Sequence, residues 1–230
     1  MLHARLAGLL AALALCATAT ADRFKLPDGA RVVVTGNTFA ERMALSGYFD
    51  ALAYASHSGN PLIIRHVPWS ADEVAMSPRE TKVPTTDDRL EEYQANVIVM
   101  CFGMSESFGG ADGLGDFETN LAALIEKHRT AGYSAAAPQM ILVSPIAHED
   151  LGAPMLTGAD VETRNATIAT YVDVMRRVAE TKGVRFVDLF RASPDLYAAS
   201  REPLTNNGIH PNELGCFHFC LLYTSDAADE

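Results

Sequence analysis

Basic charge is scarce: 18 Lys and Arg stand against 29 Asp and Glu, for a formal net charge of -11. The clustered cations that neutralise phosphates along a nucleic acid are missing, which excludes nucleic acid as an expected partner. Cysteine is scarce too, with four residues in all. Cys16 falls in a leader and Cys216 and Cys220 in an anomalous tail, so Cys101 alone remains in the body of the chain. No disulfide framework and no metal site follow from that count. Cys101 lies in the apolar run NVIVMCF and reads as a small buried residue rather than a reactive thiol. No apolar run is long enough to span a bilayer, and no internal repeat or second domain is evident. What remains, 48% apolar and 20% charged residues over 230 positions, is ordinary for one α/β domain.

Met1 to Ala21 carries Arg5, an apolar run from Leu6 to Cys16, and Ala19-Thr20-Ala21 in the small-x-small form of a signal-peptidase site. This reads as a leader cleaved before Asp22, and predicts a secreted or periplasmic protein. Leu15 before Cys16 fits a lipoprotein cleavage site poorly.

Five apolar stretches alternate with helical patterns. Strands are expected over Val32 to Val34, Leu62 to Val67, Val97 to Phe102, Met140 to Val143 and Val184 to Leu189. One helix is expected from Phe39 to about His57, stopped by Ser58-Gly59-Asn60-Pro61. Others are expected over Arg89 to Gln94, around Phe117 to Ile125, and over Val161 to Thr181 before Gly183. The alternation predicts a five-stranded parallel sheet in a three-layer α/β/α sandwich, over residues 22–215. From Ser77 to Asp88 the chain turns polar and reads as a surface loop.

Residues 216–230, CFHFCLLYTSDAADE, follow Pro211, which is expected at a first helical position. The stretch shows no capping signal or helical period of its own and resembles translated sequencing-adapter read-through. On this reading it replaces a genuine C-terminal helix, leaves an apolar face of the sheet uncovered, and hides any further domain.

Chemistry is expected in loops at the carboxyl ends of the strands. After the first strand comes Thr35-Gly36-Asn37-Thr38, and after the second Ser70-Ala71-Asp72-Glu73. The third is followed by Gly103-Met104-Ser105-Glu106, and late in the chain stands Asn207-Gly208-Ile209-His210. This ordered set, from about Arg31 to Gly215, resembles the SGNH (GDSL-like) hydrolases, in a divergent branch of secreted bacterial proteins. The family places a Gly-Asp-Ser turn, a Gly, a Gly-x-Asn-Asp loop and an Asp-x-x-His at these points.

The resemblance implies an ester hydrolase, possible substrates being carbohydrate acetyl esters, with no cofactor and no metal. Thr38 stands at the nucleophile position, His210 at the base and Asn207 at the orienting acid. Gly36, Asn37, Ala71, Gly103, Ser105 and Glu106 fall at oxyanion or substrate-binding positions. Three substitutions bear on rate. Thr38 brings a β-methyl to the nucleophile, Asn207 a neutral amide to the acid position, and Ser105 a short hydroxyl where the family aims an Asn amide.

Blander readings stay open. Thr38 would serve equally as the N-cap of the following helix. His148, after the fourth strand, reads as a solvated loop residue, Trp69 as cover for the sheet edge, and the sequon Asn165-Ala166-Thr167 as chance. A catalytically silent carbohydrate-binding domain is one alternative. A flavodoxin-like FMN or phosphate binder is another, since the first loop also resembles a phosphate cradle, but it leaves Asn207 to His210 unexplained.

Overall fold

A computed structural model describes residues 26–57, 59, 61–78 and 82–225. The leader and its cleavage point, Ser58 and Asn60 of the expected helix stop, and the last five residues of the tail lie outside the described residues.

The elements run β1 (Ala30–Gly36), α1 (Thr38–Ser46), α2 (Tyr48–Ser56), β2 (Leu62–His66), α3 (Thr86–Glu92) and β3 (Val97–Cys101). A 3-10 helix (Glu106–Gly113) follows, then α4 (Leu114–Thr130), β4 (Gln139–Val143), α5 (Ala159–Lys182), β5 (Arg185–Val187), α6 (Leu189–Ala199) and α7 (Glu213–Ser225). All strands are parallel, in the order β2-β1-β3-β4-β5. Gly36 pairs with Cys101, Cys101 with Val143 and Val143 with Val187, so four strands end in one row and their loops converge on one edge.

Both faces of the central strands are apolar, and each packs into its own core. Val32, Val34, Val99, Cys101 and Val143 join Phe39, Met43, Phe49 and Phe219 on one side. Val33, Ile98, Met100 and Leu142 join Phe117, Leu121, Ile125 and Met175 on the other. Side chains alternate across a strand, so an unbroken apolar run is what a sheet covered twice requires.

The single helix expected from Phe39 to His57 is two. Gly47, at φ 71°, donates its N–H to Met43 O, closing α1 and turning the chain into α2. α3 begins earlier than expected because Thr85 and Asp88 form a reciprocal capping box. The expected fifth strand is shorter, since Asp188 caps a further helix, α6, whose internal Pro194 masked its pattern in the sequence.

The expectation of no helix in the tail is corrected as far as Ser225, since Glu213–Ser225 is helical. Asn212, not Pro211, stands at its start, accepting the Gly215 N–H on its Oδ1 at 2.9 Å. Cys216, Phe219 and Cys220, at i, i+3 and i+4, are buried, with Phe219 edge-on to Phe39 and Tyr197. α7 therefore covers part of the sheet expected to lie bare. An apolar cavity of about 70 Å³ remains beyond it, lined by Val32, Ile64, Val97 and Ile141 among others.

Candidate active site

The turn after β1 is shaped by close approach. Gly36 has φ 130°, and a Cβ there would collide with the Cys101 carbonyl, so only glycine fits. Asn37 then donates its N–H to Cys101 O at 3.1 Å, while its Oδ1 accepts the Phe39 N–H at 3.1 Å. Asn37 is thus the N-cap of α1, which corrects the alternative that Thr38 holds that place. Thr38 is the first helical residue, half-buried, with its hydroxyl taken by no cap bond.

The second and third loops are tied together by Glu106. Its carboxylate accepts the Val74 N–H at 2.9 Å and the Gly103 N–H at 2.8 Å. Burial pushes this carboxyl above its usual range, against the pull of those donors. Gly103, at φ 99°, lies where a Cβ would press on Met175 and Pro145. Ala71 is exposed and sits at φ 62°, in the left-handed region that favours glycine.

In the fourth loop, Asn207 Oδ1 accepts the His210 N–H at 3.0 Å and the Ile209 N–H at 3.4 Å. Its Nδ2 faces His210 Nδ1 at 3.1 Å. Burial holds the His210 imidazole below its ordinary value, with Arg42 adding repulsion against the charged form.

One cavity of about 50 Å³ gathers Asn37, Thr38, Ser105 and His210 from three of the four loops. Apolar side chains, Phe39, Phe102, Met104, Phe108, Ile146 and Ile209, line much of the rest. Gly36, Ala71, Gly103, Glu106 and Asn207 do not line it. Gly36, Gly103, Glu106 and Asn207 shape or tie the loops that do. Thr38 and His210 share the cavity without a hydrogen bond between them.

Several site-edge residues went unread in the sequence. Phe108 is 66% exposed at the cavity, with the Arg164 guanidinium 3.9 Å from its ring centroid. Arg164 is held by Ser107 O at 2.9 Å and Ser107 Oγ at 2.6 Å. Arg164 lies 57 positions from Ser107, so no local pattern pointed to it. His148 is buried at 6% exposure, correcting the solvated reading, and its N–H and C=O pair with the two ends of the Asn165 amide. Asn165 of the sequon is thereby engaged in a tertiary bond. Trp69 is 42% exposed, its N–H bonded to Gly36 O. Cys101 is buried, and burial pushes its thiol far up, as a structural cysteine requires.

Among the described residues no group of three or more His, Cys, Asp or Glu is placed to hold a metal ion. No Lys or Arg lines the cavity beside Thr38.

A hydroxyl and an imidazole in one small cavity, at the carboxyl edge of a parallel sheet with strand order 2-1-3-4-5, define an α/β/α hydrolase scaffold. More narrowly, the chain belongs to the GDSL-like lipase/acylhydrolase family, whose model matches residues 28–216. Comparison with curated protein sequences gives no match. Among solved structures, an acetylxylan esterase from Geobacillus stearothermophilus aligns with TM-score 0.65 at 14% identity, covering 90% of this chain and 98% of that one. An α/β hydrolase enzyme from the metagenome of Lake Arreo, Spain, aligns with TM-score 0.60 at 21% identity, covering 89% and 99%. These are likenesses of fold. No helix among the described residues is long and apolar enough to cross a membrane.

Proposed function

We propose that this chain is an exported ester hydrolase acting on short acyl esters, with acetylated carbohydrate as the substrate class. The observation that carries the reading is the shared cavity of Thr38, Ser105 and His210. Its volume, about 50 Å³, suits a small acyl group, since one water needs roughly 10 to 15 Å³ of such space. The carbohydrate half of the proposal draws on the acetylxylan esterase of the same fold, and export on the leader pattern in the first 21 residues.

Thr38 Oγ1 attacks the ester carbonyl carbon, and its proton passes to His210 Nε2 in the tautomer that carries the ring proton on Nδ1. The tetrahedral oxyanion is met by the Thr38 N–H and by Ser105, which line the cavity. Thr38 N–H is an orphan donor of a helix start. The C–O bond to the alcohol breaks, the alcohol takes the proton from His210, and water cleaves the acyl-Thr38 ester by the same sequence.

A specific observation favours a second reading, a silent binding domain. Asn207 presents an amide N–H to His210 Nδ1, which leaves the proton of the neutral ring on Nε2, the atom that has to accept one.

Labelling with a fluorophosphonate and hydrolysis of p-nitrophenyl acetate test the enzyme reading beside Thr38→Ala and His210→Ala. Both variants are expected to lose label and turnover. Hydrolysis unaffected by either substitution overturns it, and binding of acetylated xylooligosaccharide without turnover establishes the second reading.

A further inference from the structure

We propose that Glu149 is a positioning residue for His210, acting through the hydroxyl of Thr205. The proposal rests on the reading of His210 as the base, and it concerns how that imidazole is held.

Glu149 lies in the loop after β4 and is only 6% exposed. A carboxylate removed from water needs donors, and four contacts supply them. Leu204 N–H reaches its two oxygens at 3.0 and 3.1 Å, Thr205 N–H reaches Oε2 at 2.7 Å, and Thr205 Oγ1 donates to Oε2 at 2.6 Å. An ionised carboxylate can only accept, so the single hydroxyl proton of Thr205 is committed to it. The hydroxyl oxygen is then left as an acceptor, and it takes the Gly208 N–H at 2.9 Å. The Gly208 carbonyl in turn accepts the Glu149 N–H at 2.8 Å. Both backbone polar groups of Gly208, two residues before His210, are therefore referred to Glu149, one directly and one through Thr205.

The rest of the turn leaves little freedom. Gly208 has φ 90°, and a Cβ there would collide with the His148 ring, whose Nδ1 bonds Glu149 O at 2.9 Å. His210 O accepts the Asn206 N–H at 2.8 Å, closing the turn on itself. The turn is closed by an isolated antiparallel bridge, Thr205 against Pro211, and the buried Glu149 carboxylate gathers the Leu204 and Thr205 N–H groups at its start while Asn207 gathers those of Ile209 and His210. A glutamine at 149 cannot do the same, because its NH₂ end would oppose the donors now shared between two oxygens.

The test compares Thr205→Val, Thr205→Ser and Glu149→Gln in the full chain, at a temperature where each is folded. Two readouts are taken: kcat and KM for p-nitrophenyl acetate, and the ¹H–¹⁵N ring correlations of His210, assigned with His210→Ala. Thr205→Val and Glu149→Gln are expected to lower kcat about tenfold or more with KM little changed. They are also expected to move the His210 ring signals, and Thr205→Ser is expected to retain both. The proposal is overturned if folded Thr205→Val keeps wild-type ring signals and kcat, or if Thr205→Ser is as impaired as Thr205→Val. If His210→Ala hydrolyses as wild type, the base reading fails by itself, and the ring signals still decide whether Glu149 and Thr205 hold this imidazole.

Discussion

The amide of Asn207 faces Nδ1 of His210 and favours a ring proton on Nε2 over one on Nδ1. Its Oδ1 accepts two backbone N–H groups, from Ile209 and His210, which orients the amide without ambiguity. Nδ2 then faces His210 Nδ1, 3.1 Å away, and that nitrogen accepts in the tautomer with its proton on Nε2. A carboxylate in place of this amide would keep the backbone bonds and reverse the ring, giving Nδ1–H and a free Nε2. Asn207→Asp is therefore expected to raise kcat for p-nitrophenyl acetate tenfold or more, the reverse of the roughly 10⁴ loss typical of an Asp to Asn change in a serine protease. An unchanged or lower kcat in a folded variant counts against His210 as the base.

Two further substitutions are expected to raise the rate. Thr38→Ser removes the β-methyl and frees χ1, which should speed acylation several-fold. Ser105→Asn extends an amide into the cavity where the hydroxyl is short. One added oxyanion donor is worth on the order of 10²-fold in kcat. Steady-state kinetics of the two single variants and the double variant check both, and Thr38→Ala is the inactive control.

Ala71 occupies a left-handed conformation at φ 62° on an exposed loop. A Cβ in that region costs about 1 kcal/mol or somewhat more. Ala71→Gly is expected to raise Tm by roughly 2 to 4 °C, less whatever glycine's freer unfolded chain returns. Differential scanning calorimetry reads the shift, and a lower Tm contradicts the strain.

The acid limb of activity should fall below the ordinary imidazole value. Burial and Arg42 both favour the neutral ring of His210, so its folded value lies under 6.5. A general base works neutral, so kcat/KM should hold as pH falls through 6.5 and decline only below it. A limb centred above 6.5 would contradict this placement.

Stability should fall with pH for a separate reason. His128 is 2% exposed, donates through Nδ1 to Tyr133 OH at 3.0 Å, and is pushed down to about 4 by burial. The unfolded chain binds this proton near pH 6.5 and the folded chain only near 4. The stabilisation is therefore full above 6.5 and is lost as pH falls from 6.5 to 4, by roughly 3 kcal/mol. Urea unfolding at about pH 7 and about pH 4.5 should show a steeper loss for wild type than for His128→Asn.

The fold was legible wherever a local rule was decisive. Unbroken apolar runs such as Val97 to Cys101 marked strands buried on both faces, and Gly183 marked the end of α5. Where two local rules competed, the reading failed. Gly47 split one apparent helix, Pro194 hid α6, and the 216, 219, 220 spacing of α7 was too short a pattern to stand out.

The site divides along the same line. The sequence by itself determined which residues stand at the four loops: a threonine after β1, a serine in the third loop, and Asn207 three positions before His210. Spacing along one chain is enough to state such an order. Tertiary structure alone decided that Thr38, Ser105 and His210 share one cavity, and that the Asn207 amide faces Nδ1. It alone decided that Glu149, 55 positions before Leu204, anchors the turn carrying the imidazole. The cavity and the Glu149 contacts join residues far apart in the chain, which the parallel sheet brings together. A buried carboxylate leaves no trace in the sequence of which distant N–H groups will satisfy it.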